Sequence, residues 1–159
     1  NNPSPGNKKG GLTTILEKSL GAVAKSGTST MEDVLSFAEP LKKKGFNYMD
    51  SPGYDPVSVT GQVASGSNII CFTTGRGSCF GFKPAPSLKI ATNTNMYNKL
   101  KEDMDINAGI IMDGESDIKE VGERIFKDLI ETASGTLTKS EINGYGDDEF
   151  NPWIIGATM

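Results

Sequence analysis

Histidine is absent from this 159-residue chain, and cysteine occurs only twice. Without an imidazole, neither a Ser-His-Asp nor a Cys-His catalytic unit can be assembled within it. A zinc site of the usual Cys/His type is excluded for the same reason, because two thiols cannot complete it. Cys71 and Cys79 do not make a disulfide scaffold in a chain of this length, and the expectation is a reducing, cytoplasmic setting. Lys and Arg number 16 against 20 Asp and Glu, a formal net charge of −4. The basic excess of a duplex-binding protein is missing, so no nucleic-acid partner is expected. No apolar run approaches the ~20 residues that cross a bilayer. No signal peptide opens the chain, and no membrane role is expected. The first residues are Asn1-Asn2-Pro3-Ser4 rather than Met, which reads as a piece of a longer protein.

What is present is ordinary for a folded domain. Hydrophobic residues make up 36% and charged residues 23%, enough apolar surface to bury a core and too little charge for disorder. Residues 1–11 carry Asn, Pro, Gly, Ser and Lys and read as a linker or arm, leaving 12–159 as the domain. Thr14 followed by Glu17 is a capping box, with Leu12 as its staple. Ile15, Leu16, Leu20, Val23 and Ala24 form one helical face that stops at Gly27. A short helix is predicted from Met31 to Ala38, ended by Pro40. Gly45–Asp50 reads as a strand. Asp55 then caps a helix whose first residue is Pro56 and which runs through Val63.

Asn68–Thr73 reads as a buried strand, Leu88–Thr92 as another, and Asn93–Glu102 as a helix. Residues 103–115 mix strand and loop. The clearest helix is Asp117–Ala133, capped by Ser116, with Ile118, Val121, Ile125, Phe126, Leu129 and Ile130 along its apolar stripe and Gly135 at its end. Residues 136–159 read as irregular, with Trp153, Ile154 and Ile155 docking on the core. Strands alternating with helices predict an α/β fold with a mostly parallel sheet.

Ligands of such sheets bind beyond the carboxyl ends of the strands. Those ends fall at Asp50–Pro56, Thr73–Pro86 and Thr92–Thr94, all rich in Gly, Thr, Asn or Asp. The loop from Thr73 through Gly81 lacks both the dinucleotide fingerprint and the Gly-Lys-Ser/Thr ending of a Walker loop. It is either an anion nest, with Arg76 offering a two-point fork to a carboxylate, or a glycine-rich structural turn. Lys83, between Phe82 and Pro84, is either an electrostatic clamp or proton carrier held by stiff prolines, or a solvated surface group. Asp103, Asp105 and Asn107 alternate, as hard-cation ligands on one strand face would, although exposed loop acids show the same pattern. The glycine and glutamate of an EF-hand are absent there. Cys71 is expected to be a buried small hydrophobe and Cys79 to be more exposed.

On these motifs the sequence resembles a known family. Gly10-Gly11-Leu12-Thr13-Thr14, Met49-Asp50-Ser51-Pro52-Gly53-Tyr54-Asp55-Pro56, Cys71-Phe72-Thr73-Thr74-Gly75-Arg76-Gly77-Ser78, Lys83-Pro84-Ala85-Pro86-Ser87-Leu88-Lys89, Asp103-Met104-Asp105-Ile106-Asn107 and Phe150-Asn151-Pro152-Trp153 resemble the C-terminal region of the altronate and galactarate dehydratases. The departures are Ala108, where the family often has Cys, and Cys79, where Val is common.

The resemblance implies several things together. It implies a Rossmann-like α/β/α sandwich, seen here as a partial domain. It implies a cytoplasmic hydro-lyase, a homodimer at full length, that dehydrates altronate or else galactarate to a 2-keto-3-deoxy acid using Fe²⁺, Mn²⁺ or another divalent ion. Lys83 and Asp50 then take catalytic roles, and Thr73, Thr74, Arg76, Ser78, Asp55 and Asn93 bind substrate. Asp103 and Asp105 are the metal candidates. The fragment alone is expected to be inactive. Two rival readings are a non-catalytic module that binds sugar acids or other anions, and a nucleotide-binding regulatory domain.

Overall fold

The computed structural model describes residues 2–151. The expected docking of Trp153, Ile154 and Ile155 lies outside the described residues. The described chain forms two compact units, residues 1–34 with 43–48, and residues 35–42 with 49 onward.

The first unit holds α1 (Pro5–Lys9), α2 (Ile15–Lys25) and most of a two-stranded sheet of β1 (Met31–Leu35) and β2 (Phe46–Met49). Ser4 and Asn7 make a reciprocal capping box, so a helical turn stands inside the stretch read as an arm. Thr14 caps α2 as expected. The Glu17 carboxylate, however, reaches past the cap to bind the Thr13 amide and hydroxyl. Those bonds hold its pKa below the usual carboxylate range. The apolar face of α2 is exposed at Ile15, Leu16, Leu20 and Val23. The helix predicted over Met31–Ala38 is instead strand β1. Pairing with β2 overrides a segment whose acid-rich start suited a helix.

The second unit is built on a three-stranded parallel sheet, β3 (Ile70–Thr74), β4 (Ser87–Ala91) and β5 (Ile106–Asn107), in that order. This bears out the expected α/β class with parallel strands. Ile70 pairs with Ser87 and Thr74 with Ala91, and Ile90 pairs with Ile106. Strand β4 is central and buried at every residue. β3 lies at the sheet edge, and its burial alternates. Cys71 therefore emerges as exposed, a correction to the expected buried position. Its sulfur is still shielded enough that desolvation pushes the thiol pKa up. Cys79 is exposed, as expected.

Helix α3 (Asp55–Ala64) packs Val59 and Val63 against Ile70, Phe80, Phe82 and Ala85. Tyr54, not Asp55, takes its N-cap position, and Asp55 sits in the first turn with Pro56. Phe37 lies over Gly61 so closely that a Cβ there would meet its ring at 2.1 Å, which explains a glycine in mid-helix. Helix α4 (Thr94–Lys99) packs Met96 with Ala91 and Met104.

Helix α5 (Ile118–Ala133) is capped by Asp117 rather than Ser116, whose hydroxyl instead binds Glu120. Val121 is buried and Ile125 and Leu129 half-buried, while Ile118, Phe126 and Ile130 stay exposed. The expected stripe is thus only partly covered. In the tail read as irregular, α6 (Lys139–Ile142) forms behind a Thr138–Glu141 capping box. Among the described residues, no helix is long and apolar enough to cross a membrane.

Candidate functional site

At the carboxyl end of β3 the chain turns on its own side chains. The Thr74 hydroxyl oxygen accepts from the amides of Arg76 at 3.3 Å and Gly77 at 3.2 Å. Ser78 Oγ accepts from the Phe80 amide at 3.0 Å. Both hydroxyls act as acceptors here, so their protons remain available to a bound anion. Gly77 has φ +90°, and a Cβ there would meet Leu100 Cδ1 at 2.0 Å. Glycine therefore lets the loop turn and lie directly on α4. The Arg76 side chain, exposed at the tip, has neither hydrogen bond nor ion pair among the described residues.

The ends of β4 and β5 close against this loop. Thr92 donates from its amide and its hydroxyl to the Thr74 carbonyl. Asn93 caps α4 through Oδ1 and donates from Nδ2 to the Gly75 carbonyl at 2.8 Å. Asn107 Nδ2 donates to Thr94 Oγ1 at 3.0 Å, and its Oδ1 accepts from the Gly109 amide. Thr94 Oγ1 in turn hydrogen-bonds Asp113. A Cβ on Gly109 would lie 2.3 Å from the Thr94 nitrogen, so only glycine lets β5 reach α4 at this point. Thr94, Asn107 and Asp113 are thus hydrogen-bonded together beyond the strand ends, and Asn93 ties this strand-end group to the loop that carries Arg76 and the Thr74 and Ser78 hydroxyls. Thr74, Arg76, Ser78 and Asn93 were candidates in the sequence, as was Asn107 in its alternating acidic stretch, while Thr73, also a candidate, is an exposed residue of edge strand β3. Thr94 and Asp113 were not, because their link spans 19 residues and leaves no local pattern.

Residues 75–86 form a crossover without regular secondary structure that returns to the start of β4. Four steps at ~3.3 Å per residue separate the two ends of such a strand by about 13 Å. Lys83 sits on this returning limb, three residues before Pro86, whose carbonyl accepts from the first residue of β3. It pairs with Asp147 at 3.2 Å, both side chains exposed. A cavity of about 110 Å³ adjoins it, lined by Phe82, Ser87, Thr138, Ser140, Glu141 and Tyr145. Gly81 and Gly146 touch backbone to backbone there, since a Cβ on Gly146 would lie 2.8 Å from the Gly81 carbonyl carbon. Lys83 and Arg76 therefore mark opposite ends of the sheet.

Asp105 also belongs to the strand-start end. Its Oδ2 accepts from the Lys89 amide at 2.7 Å and its Oδ1 from the Lys139 amide at 2.8 Å. This carboxylate joins β4, β5 and α6. Asp103 sits two residues earlier, half-buried. Among the described residues, no group of three or more His, Cys, Asp or Glu side chains is placed to hold a metal ion. Asp50 and Asp55 are exposed, and no hydrogen bond or ion pair among the described residues ties their carboxylates to the strand-end group.

The sequence reading also passed over Lys89. It is 0% exposed in the middle of β4, and its ammonium donates to the Phe80 carbonyl at 3.2 Å and to the Ser140 hydroxyl. Desolvation drives its pKa below the usual lysine value, with attraction from Asp105 and Asp103 opposing the shift.

A profile of the family described as D-galactarate/altronate dehydratase, C-terminal, matches residues 1–158. The chain is 48% identical over 134 residues to a galactarate dehydratase (L-threo-forming) of Escherichia coli, covering 84% of this chain and 26% of that protein. It is 41% identical over 144 residues to an altronate dehydratase of Bacillus subtilis, covering 91% of this chain and 29% of that one. A (2R)-sulfolactate sulfo-lyase subunit beta of Chromohalobacter salexigens is 34% identical over 144 residues, with 90% of this chain and 37% of that subunit covered. The chain therefore spans between about a quarter and somewhat over a third of the length of these curated relatives.

Proposed function

Because the chain belongs to the D-galactarate/altronate dehydratase C-terminal family, we propose that it is the C-terminal part of a hydro-lyase acting on a sugar acid. The carrying observation is the family match over residues 1–158. The strand-end group supports it with the donors that such a substrate needs. Dehydration of a 2,3-dihydroxy acid takes a proton from the carbon beside the carboxylate and expels hydroxide from the next carbon. The resulting enol becomes a 2-keto-3-deoxy acid.

In this reading the Arg76 guanidinium takes the carboxylate as a two-point fork. The Thr74 and Ser78 hydroxyl protons, both left over from turn-forming bonds, point the same chemistry at the anion. Asn93 and the Thr94–Asp113 pair offer donors and acceptors suited to sugar hydroxyls. Asp50 remains the group proposed to move protons, while Lys83, paired with Asp147 at the opposite end of the sheet from Arg76, is proposed to take no part in a reaction held there. The Fe²⁺ or Mn²⁺ implied by the family resemblance finds no complete donor set among the described residues. Asp105 already holds two backbone amides.

The test is turnover by the longer enzyme that contains this segment, offered galactarate, altronate and (2R)-sulfolactate in parallel. Formation of a 2-keto-3-deoxy acid from either sugar acid supports the reading. Turnover of (2R)-sulfolactate alone would move the assignment to the sulfo-lyase branch, which the similarity to that subunit makes the second reading. Binding of all three without any product would favour the anion-binding module.

A further inference from the structure

Three separate parts of the chain meet at one buried ammonium. Lys89 comes from the central strand, the Phe80 carbonyl from the crossover, and Ser140 from α6. Ser140 Oγ also donates to that carbonyl, at 2.8 Å, which closes a three-member ring of hydrogen bonds. The direct partners of the ammonium are thus a carbonyl and a hydroxyl, both uncharged. Burying an ammonium against neutral partners is costly, and an apolar side chain of similar length would fill the space without that cost. Stability alone is a poor account of a lysine here.

The crossover supplies a better one. Residues 75–82 belong to no helix and no strand, so no ladder fixes their backbone. Their upper limb is set by the Thr74 and Ser78 turns, and by Gly77 lying on α4. Their lower limb is set by the Lys89–Ser140 ring and by the stacking of Phe80 on Phe72, with ring centroids 5.2 Å apart.

We propose that Lys89 is a positioning residue: its ammonium fixes the Phe80 carbonyl and thereby the geometry of the crossover that presents Arg76 and Ser78. The link to catalysis rests on the dehydratase reading above. The link to the crossover does not.

The experiment compares the longer enzyme with its Lys89→Met and Ser140→Ala variants, using steady-state kinetics, thermal melting and amide hydrogen exchange. In Lys89→Met, exchange at residues 76–82 is expected to rise about tenfold or more, while α5 amides keep their parent rates. kcat/KM on the sugar acid is expected to fall roughly tenfold, with most of the change in KM. Ser140→Ala shifts both readouts in the same direction by less. If Lys89→Met does not fold, the Ser140→Ala exchange pattern decides. Unchanged exchange over the crossover, or acceleration spread evenly through α5, overturns the proposal. Should the parent enzyme turn over no sugar acid, the dehydratase reading fails, and the exchange data still judge Lys89.

Discussion

The two ends of the parallel strands use polar side chains differently. Beyond the carboxyl ends, Thr74 and Ser78 serve backbone amides within three residues of themselves, and the bonds of Asn93, Thr94 and Asn107 span at most 19 residues. Such local bonds shape a loop and leave its outward donors uncommitted, as the bare Arg76 guanidinium shows. At the starting ends the bonds run far along the chain. Asp105 reaches an amide 34 residues away in α6, and Ser140 reaches a carbonyl 60 residues back. Lys139 adds a bond to the Met104 carbonyl and lies 5.6 Å from the centre of the Tyr97 ring. Long-range bonds of this kind hold segments together and use up the groups that make them. In the proposed reading one end binds and the other coheres, and each half can be broken separately.

The largest expected effect is at the cohesive end. Asp105→Ala strands two backbone amides and removes a carboxylate that attracts the Lys89 ammonium. Bonds to a charged acceptor are worth ~1.5–3 kcal/mol each, so a loss of about 3 kcal/mol or more is expected in urea unfolding. Stability within about 0.5 kcal/mol of the parent would show that this carboxylate is not a structural tie, and would return it to the metal candidates.

Next comes the binding end. In the longer enzyme, Arg76→Lys keeps the charge and loses the planar fork. A fall in kcat/KM of roughly tenfold to a hundredfold is expected, at an unchanged melting temperature, because the side chain braces nothing. If melting and turnover fall together, Arg76 supports the loop and does not face substrate.

How far the sequence foretold these two ends depends on the range of the signal. The strands β3 and β4 and the helices α4 and α5 were legible because apolar runs and cap residues are local. The loop donors Thr74, Arg76, Ser78 and Asn93 were legible for the same reason, sitting directly after strand-like segments. The strand β1 was misread because its Glu32 and Asp33 hide the alternation that pairing with β2 imposes. Helix α6 was missed despite a readable sign, the Thr138–Glu141 box, because it has only four residues. Lys89 was passed over because a lysine inside Leu88–Ala91 looks like an exposed position on an alternating strand. Only the cover provided by the crossover and α6 makes it buried. Lys83 and Arg76 looked like members of one loop. The crossover carries them to different ends.

A smaller effect concerns pH. Lys89 in the folded chain has its pKa lowered, first by desolvation, with Lys139 adding to the shift and with Asp105, Asp103 and Cys79 opposing it. The unfolded chain therefore binds more protons between the folded value and the ordinary lysine value. Stability attributable to this group rises as pH rises through that window, by at most about 1.4 kcal/mol per pH unit. Below the window the charged lysine is a standing cost. Melting temperature against pH, compared between parent and Lys89→Met, isolates this slope from other alkaline titrations. The parent should gain on the variant as pH rises. Parallel curves would mean that the ammonium is solvated in the folded chain.

The smallest effect separates the ends most directly. Lys83 is 55% exposed and its partner Asp147 75% exposed, at 3.2 Å. An exposed pair of this kind contributes about 0–1 kcal/mol, screened by salt, so Lys83→Ala should barely move the melting temperature. Its effect on turnover then depends on which end holds substrate. A general acid or base contributes about 10²–10⁴-fold, and losing one at this position would be unmistakable. With the substrate beyond the carboxyl ends, on Arg76 and the Thr74 and Ser78 hydroxyls, Lys83 lies about a strand length away. Lys83→Ala in the longer enzyme is then expected to keep kcat/KM within about twofold of the parent. A hundredfold loss at unchanged stability would instead place the reaction at the strand starts. The cavity between Phe82, Ser140 and Tyr145 would then be its site, and the division between binding and cohesive ends would be reversed.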